Sequence, residues 1–314
     1  MKTYSTITHV SKSPCVIALG CFDGVHTGHR EVIKKARMIA EDLSCSSLVW
    51  TFDEPPKNYF LPTAVPLITD REHKNKLIKE LGVDVLISVP FTKETAGISA
   101  EDFFFKIIKE RLKAVHIVCG FDYTFGAKGK GNVSLLKGLC SEHGIGLTVL
   151  DPIKINGVTV SSSVIREYLT NGDPEGAAEL LGRPYDIYSV VIGGQRLARK
   201  LGFPTLNQDI PSRLVIPKHG VYISRVIVGK SKRNYYGITN VGIRPTVGGT
   251  TVFAETHILN YSGDLYGKLV KVEFLSFIRP EMKFESLEAL TAQVKRDIEV
   301  SREYANNKTN DGCN

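Results

Sequence analysis

Hydrophobic positions along this chain of 314 residues follow two rhythms, one after the other. In the first part, short apolar runs alternate with segments of helical period. Cys15–Leu19 is a continuous apolar run and predicts a buried strand. From Glu31 to Leu43 the apolar residues fall at Val32, Ile33, Ala36, Ile39, Ala40 and Leu43, one face of a helix. Strands are expected at Ser47–Phe52, Val83–Val89, Val115–Cys119 and Gly146–Leu150, with helices at Arg71–Leu81 and Leu135–His143. Ser99-Ala100-Glu101-Asp102 has the pattern of a helix start. Two short helices are expected across 161–182. Alternating strands and helices predict a doubly wound parallel sheet of the Rossmann type, which binds ligands at the carboxyl ends of its strands. The Gly20, Phe52 and Gly120 regions fall on that edge.

After Arg183-Pro184 the rhythm changes. Short β-like runs separated by glycines at 187–192, 220–228, 234–240, 251–259 and 269–277 predict a small antiparallel β-barrel. Val241–Thr246 and Asp264–Gly267 are expected to be turns. An amphipathic helix over Ser286–Tyr304 closes the fold, with a frayed polar tail from Ala305. The overall reading is an α/β chain of two domains, 1–182 and 183–314.

Composition narrows the function classes. Hydrophobic residues make up 42% of the chain, enough for sizeable cores. No apolar run reaches the roughly 20 residues of a membrane span, so no membrane partner is expected. The polar Met1–Pro14 lacks a signal-peptide core. Cys15, Cys21, Cys45, Cys119, Cys140 and Cys313 form no Cys-x-x-Cys pair, which suits reduced thiols and a cytoplasmic location. The net charge of +7 lies wholly in the second part: residues 1–182 carry 21 Lys and Arg against 21 Asp and Glu, and residues 183–314 carry 19 against 12. Without an Arg-rich tract or an RNA-binding aromatic motif, this excess points to a small phosphate ligand and not to nucleic acid, with a solvated basic face as the plainer alternative.

The chemistry concentrates in a few segments. Gly20-Cys21-Phe22-Asp23-Gly24-Val25-His26-Thr27-Gly28-His29-Arg30 joins the first strand to the first helix. Helix N-terminal amides attract phosphate, and His26 and His29 are placed to donate to its oxygens, with Gly20, Phe22, Asp23, Gly24 and Gly28 shaping the turn. The plainer alternative is that the histidines only cap the helix or lie on the surface. A zinc site is disfavoured, because no third ligand stands at zinc spacing. Gly120–Gly131 follows a strand and carries Asp122, Tyr123, Phe125 and Gly126, a loop suited to a flat ring and a phosphate or, taken alone, simply a flexible surface loop; Phe52 ends another strand nearby in the pattern. Ser161-Ser162-Ser163 opens a helix in which Arg166 lies one turn on. Ser162, Ser163 and Arg166 are thus candidates for phosphate contact, the plainer alternative being that the serines only cap the helix. No Walker A loop is present: before Gly229-Lys230-Ser231, Ser224 stands where the first glycine belongs. In the second part, Gly202-Phe203-Pro204-Thr205-Leu206-Asn207 offers two hard oxygen ligands, Thr205 and Asn207, for Mg²⁺. Glu255 sits in an alternating strand, as a proton acceptor or simply as an outward-facing residue.

The ordered set resembles the bifunctional prokaryotic riboflavin kinase/FAD synthetase family over about residues 14–304. Gly-x-Phe-Asp-Gly-Val-His-x-Gly-His, the Phe-Gly loop and Ser163-Val164-Ile165-Arg166 resemble its FMN adenylyltransferase module. Leu181–Tyr185, Leu201–Thr205, Gly220-Val221-Tyr222 and Glu255-Thr256-His257 resemble its riboflavin kinase module. The resemblance implies ATP, riboflavin and FMN as substrates, FAD as product, Mg²⁺ as cofactor and flavoproteins as recipients. It implies Glu255 as base, Thr205 and Asn207 as metal ligands, Gly202 and Pro204 as ATP and phosphate contacts, and His26, His29, Ser162 and Arg166 at the ATP phosphates. The alternatives that stay open are one working module, or a flavin sensor with little catalysis. The chain departs from the family pattern where Cys21 replaces Asn, Glu54-Pro55-Pro56 replaces Pro-His-Pro, Ala198 replaces Gly and Leu206 replaces Ala.

Overall fold

In the first part, strand residues point alternately to two cores, one on each face of a parallel sheet. The computed structural model describes all residues except 7, 9, 10, 12, 194–201, 230–232, 247–248 and 312–314, with the side chains of 244–250 and 309–314 also left out. Ala198 lies outside the described residues. The chain divides into two units, Met1–Ser162 and Ser163–Asn314.

The first unit contains β1 (Lys2–Tyr4), β2 (Cys15–Leu19), α1 (Thr27–Asp42), β3 (Ser46–Phe52), α2 (Arg71–Glu80), β4 (Val85–Val89), α3 (Lys93–Gly97), α4 (Ala100–Asp102), β5 (Ala114–Gly120), α5 (Val133–Glu142) and β6 (Gly146–Leu150). The strands are parallel, in the order β1-β4-β3-β2-β5-β6. The order turns around at β2, where β3 continues to one side and β5 starts the other. That switch point opens a crevice at the carboxyl ends of β2 and β5. Val16, Ala18 and Val49 pack with Val32, Ile33 and Ala36 of α1 and Leu77 and Ile78 of α2. Ile17, Leu19, Leu48 and Trp50 pack on the other face, against Phe103, Phe104, Ile107 and Ile108. Each fully buried Ile or Leu contributes about 1.5–3 kcal/mol.

Those four apolar residues come from Phe103–Arg111, a π-helical continuation of α4. Its wide turn, closed by Leu112 N–H donating to Ile107 O at 2.9 Å, keeps 103 and 107 on one side. Ser99 caps α4 by accepting the Asp102 amide at 2.9 Å, as the sequence pattern predicts. A two-stranded hairpin, β7 (Lys154–Ile155) and β8 (Val158–Thr159), precedes the second unit.

The boundary falls after the first residue of α6 (Ser162–Asn171); the second unit holds the rest of α6 and α7 (Pro174–Leu181), followed by β9 (Tyr185–Val190), β10 (Thr205–Asp209), β11 (Gly220–Val228), β12 (Arg233–Thr246), β13 (Gly249–Ile258), β14 (Leu269–Arg279) and α8 (Leu287–Asp311). The compact unit thus starts before the sequence boundary at 182, because α7 buries Ala177, Leu180 and Leu181 and packs against β9 and β14. The strands form an antiparallel sheet in the order β10-β13-β12-β11-β14-β9, and its edges meet at a bridge between Ile192 and Asn207. The sheet is therefore curled into a barrel-like half-shell. Two expectations are corrected. Val241–Thr246 continues β12 as strand, because its backbone pairs with Thr246↔Gly249 through Val241↔Ala254. The tail expected to fray from Ala305 stays helical to Asp311. Among the described residues no helix is long and apolar enough to cross a membrane.

Candidate active sites

At the switch point, β2 ends in a turn that the sequence builds under strain. Phe22 and Val25 have φ of 53° and 42°, and Val25 is β-branched, so holding it there costs about 1–3 kcal/mol. A Cβ on Gly20 would lie 2.7 Å from the Phe22 ring, so only glycine allows that ring to fold back. Asp23 is buried and accepts the amides of Ile68, at 3.0 Å, and Thr69, at 3.3 Å; Gly24 N–H donates to Thr69 Oγ1. The turn is thereby pinned to the segment that precedes α2. Thr51 Oγ1 donates to the Cys21 carbonyl, and Ser162 Oγ donates to the Asp23 carbonyl at 3.1 Å.

His26 is the N-cap of α1: its Nδ1 accepts the His29 amide at 3.2 Å. A neutral ring whose Nδ1 accepts carries its proton on Nε2, so that nitrogen is a donor. The capping alternative is therefore realised together with donor capacity. The His26 and His29 rings stack at 3.4 Å, and Phe22 meets His29 edge-on. His29 Nδ1 is buried with no hydrogen-bond partner among the described residues. Burial, the His26 ring and the Lys74 ammonium hold the His29 pKa well below the usual histidine range. His29 is thus neutral at neutral pH.

Beside this turn lies an aromatic cavity of about 320 Å³. Phe52, Tyr123, Phe125 and Gly126, all singled out by sequence, line it; Asp122 is exposed and outside the lining. Tyr123 and Phe125 stack at 5.8 Å. Trp50, Phe91 and Phe103 complete the wall, and the Glu54-Pro55-Pro56 departure feeds a short 3₁₀ turn, Pro56–Tyr59, whose first residue also lines it. These side chains come from strand ends, a loop and the π-helical segment. Their joint placement rests on tertiary contacts, and sequence offered only their aromatic character. The volume and the aromatic walls suit a flat ring system.

In the second unit, β10 and β13 place Asn207 opposite Glu255 and Thr205 opposite His257. Residues directly opposite in an antiparallel pair share a face, so Thr205, Asn207, Glu255 and His257 stand together. Asn207 is 3% exposed and Glu255 half-buried. The His257 Nδ1–H donates to the Pro204 carbonyl at 3.0 Å, tying the Gly202–Pro204 turn to β13, and Gly202 has φ of 87°. Asn240 faces Glu255 from β12 and was missed by sequence reasoning. The opposite face carries a buried hydroxyl chain, with Thr239 Oγ1 2.8 Å from both Ser224 Oγ and Thr256 Oγ1. Arg166 is buried in α6 of this unit, and Ser163 is exposed beside it.

The most informative residue that sequence missed is Lys74. It is 2% exposed, and its Nζ donates to the carbonyls of Phe52 and Asp53, the latter at 3.2 Å. Asp53 also ion-pairs with Arg71 at 3.1 Å and accepts from Ser88 Oγ. On a polar helix such as α2, a lysine reads as solvated, and nothing local marks it as buried. The thiols of Cys15 and Cys119 are buried, and burial pushes both up to about 12. Among the described residues, Cys15, Cys21, Cys45, Cys119 and Cys140 form no disulfide.

Comparison with known proteins gives two family matches in the same order as the two units. The FAD synthetase family model matches residues 8–164, and the riboflavin kinase family model matches residues 181–305. The chain is 34% identical to a bifunctional riboflavin kinase/FMN adenylyltransferase of Haemophilus influenzae, over 93% of this chain and 94% of that one. It is 33% identical to the protein of the same description from Escherichia coli, over 97% and 98%, and 35% identical to that from Bacillus subtilis, over 93% of each. A solved structure of a macrolide-efflux protein from Streptococcus pneumoniae superposes with a TM-score of 0.86 at 31% identity, covering 96% of this chain and 98% of that one.

Proposed function

The chain belongs to the bifunctional riboflavin kinase/FMN adenylyltransferase family, and from that premise we infer two consecutive steps on one polypeptide. The kinase transfers the γ-phosphoryl group of ATP to the ribityl 5′-hydroxyl of riboflavin, giving FMN and ADP. The adenylyltransferase joins FMN to the AMP moiety of a second ATP, giving FAD and pyrophosphate. The observation that carries this reading is the order of the two family matches, each over a unit with its own polar site. We assign the functional modules as 1–182 and 183–314, in keeping with a riboflavin kinase match that begins at 181.

In the kinase module, Glu255 accepts the proton from the 5′-hydroxyl as its oxygen attacks phosphorus. Thr205 and Asn207 fit a hard cation: a hydroxyl and an amide oxygen share one face of β10, opposite a carboxylate. Bound there, Mg²⁺ would neutralise phosphate charge. In the adenylyltransferase module, the aromatic cavity holds the flavin ring. The α1 N-terminus and His26 Nε2–H hold triphosphate oxygens. Neutral His29 donates to the α-phosphate as charge builds during attack by the FMN phosphate. Ser162 keeps the Asp23 carbonyl in place, and Arg166 is assigned to the leaving pyrophosphate. FAD passes to flavoprotein recipients.

A chromatographic time course with riboflavin, ATP and Mg²⁺, repeated from FMN, tests the assignment. Transient FMN followed by FAD is expected. FMN that accumulates without FAD would favour a single working module. Flavin binding without ATP consumption would favour a sensor.

A further inference from the structure

We propose that Lys74 is a positioning residue for adenylyl transfer, a buried cation that links the flavin cavity to the phosphate turn and draws the reacting phosphates into line. The proposal rests on the adenylyltransferase reading of the first unit. Lys74 sits in α2, and α2 begins just after the segment whose amides Asp23 holds. Its Nζ reaches the carbonyls of Phe52 and Asp53 at the carboxyl end of β3. Phe52 is a cavity wall, in edge contact with Phe91. On the other side, the Lys74 charge acts on Asp23 of the phosphate turn and on His29. One side chain therefore touches the support of the flavin site and electrostatically senses the turn that binds phosphate.

A purely structural tie would not need an ammonium. Neutral amide donors satisfy carbonyls without the desolvation cost of a buried charge. Burial does lower the Lys74 pKa, and Arg71 adds to that; Cys21, Asp23 and Asp53 oppose it and favour the charged form. What a buried cation provides and an amide does not is attraction for anions in a site of low dielectric. Adenylyl transfer brings the phosphate of FMN against a triphosphate, so negative charge concentrates at the crevice in the transition state. A fixed positive charge behind the turn acts on kcat, because the charge it offsets is greatest there.

The test is steady-state kinetics of Lys74→Met in the full-length protein, with FMN and ATP varied separately. Riboflavin phosphorylation by the same preparation reports whether the second unit is intact and stays unchanged. The expected result is a fall of about ten-fold or more in kcat for FAD formation, with KM for FMN within about two-fold. A rise in KM for FMN at unchanged kcat would show that Lys74 only braces the Phe52 wall, and would overturn the proposal. If the methionine variant lowers the melting temperature of the first unit, Lys74→Gln decides, since it keeps a donor for the carbonyls and removes the charge. Wild-type kcat in that variant overturns the proposal; reduced kcat at unchanged KM supports it. Wild-type protein that makes no FAD from FMN would instead refute the adenylyltransferase reading itself.

Discussion

Gly126 → Ala is the sharpest probe of the flavin cavity. Gly126 has φ 72° and ψ 177°, a region that only glycine occupies without strain. A Cβ there would lie 2.5 Å from the Ala100 nitrogen and 2.6 Å from its Cα, main-chain atoms at the start of α4 that no rotamer change can move. Backbone strain alone costs about 1–3 kcal/mol, and forced overpacking adds about 1–3 kcal/mol. Taking about 2 kcal/mol as a low total, the loop at 124–129 relieves it by leaving its place on the cavity wall. The competent conformation then falls about 30-fold in population, and apparent FMN affinity falls by the same factor. The assay is FAD formation from varied FMN at saturating ATP, with riboflavin phosphorylation as internal control. A KM for FMN within about two-fold of wild type, at unchanged melting temperature, would refute both the strain argument and the assignment of this cavity to the flavin.

Three further outcomes are expected. Glu255→Gln lowers FMN formation by about 10²–10⁴-fold and leaves FAD formation from FMN intact, measured by the same chromatography; an unchanged rate would leave Glu255 as an ordinary strand residue. Asp297 is buried and holds Arg279 through Nη2 at 2.7 Å and Nε at 3.1 Å, joining α8 to β14; Asp297→Ala strands the guanidinium and destabilises the second unit by about 3–5 kcal/mol, read by calorimetry. His29, held well below its usual 6.5, binds fewer protons in the folded than in the unfolded chain. Stability of the first unit is therefore fully present above about pH 6.5 and falls as the pH drops below it, by up to about 1.4 kcal/mol per pH unit until His29 itself titrates. His116 adds a loss of the same sign, so melts of His29→Gln should show a shallower slope than wild type, and an equal slope would sink the assignment.

The parts of the fold legible in sequence are those with strong local periodicity. Cys15–Leu19, the α1 stripe at Val32, Ile33, Ala36 and Ala40, and the Phe-Asp-Gly-Val-His turn were all readable, because each is short-range. No strand is predicted at 205–209, since Pro204 and Thr205 give no alternation; the identity of β10 comes from pairing with β13, distant in sequence. Asn240 joins Glu255 only through the β12–β13 register. Phe103 and Ile107 meet Trp50 and Phe125 through a π-helical segment that a 3.6-residue period does not anticipate. Lys74 stayed hidden because residue type argues for solvent, and only the packed structure surrounds it.

The half-shell of the second unit is fastened along one seam by the bridge at Asn207, whose carbonyl accepts the Ile192 amide at 2.9 Å while its side chain faces Glu255. The same residue is thus both a rivet of the architecture and a ligand candidate. Whatever tightens the side chain's hold on a cation or a phosphate also steadies the backbone that shuts the seam. Amide hydrogen exchange at Ile192 should then slow when Mg²⁺ and nucleotide are bound, so occupancy of the site is recorded as mechanical closure of the barrel.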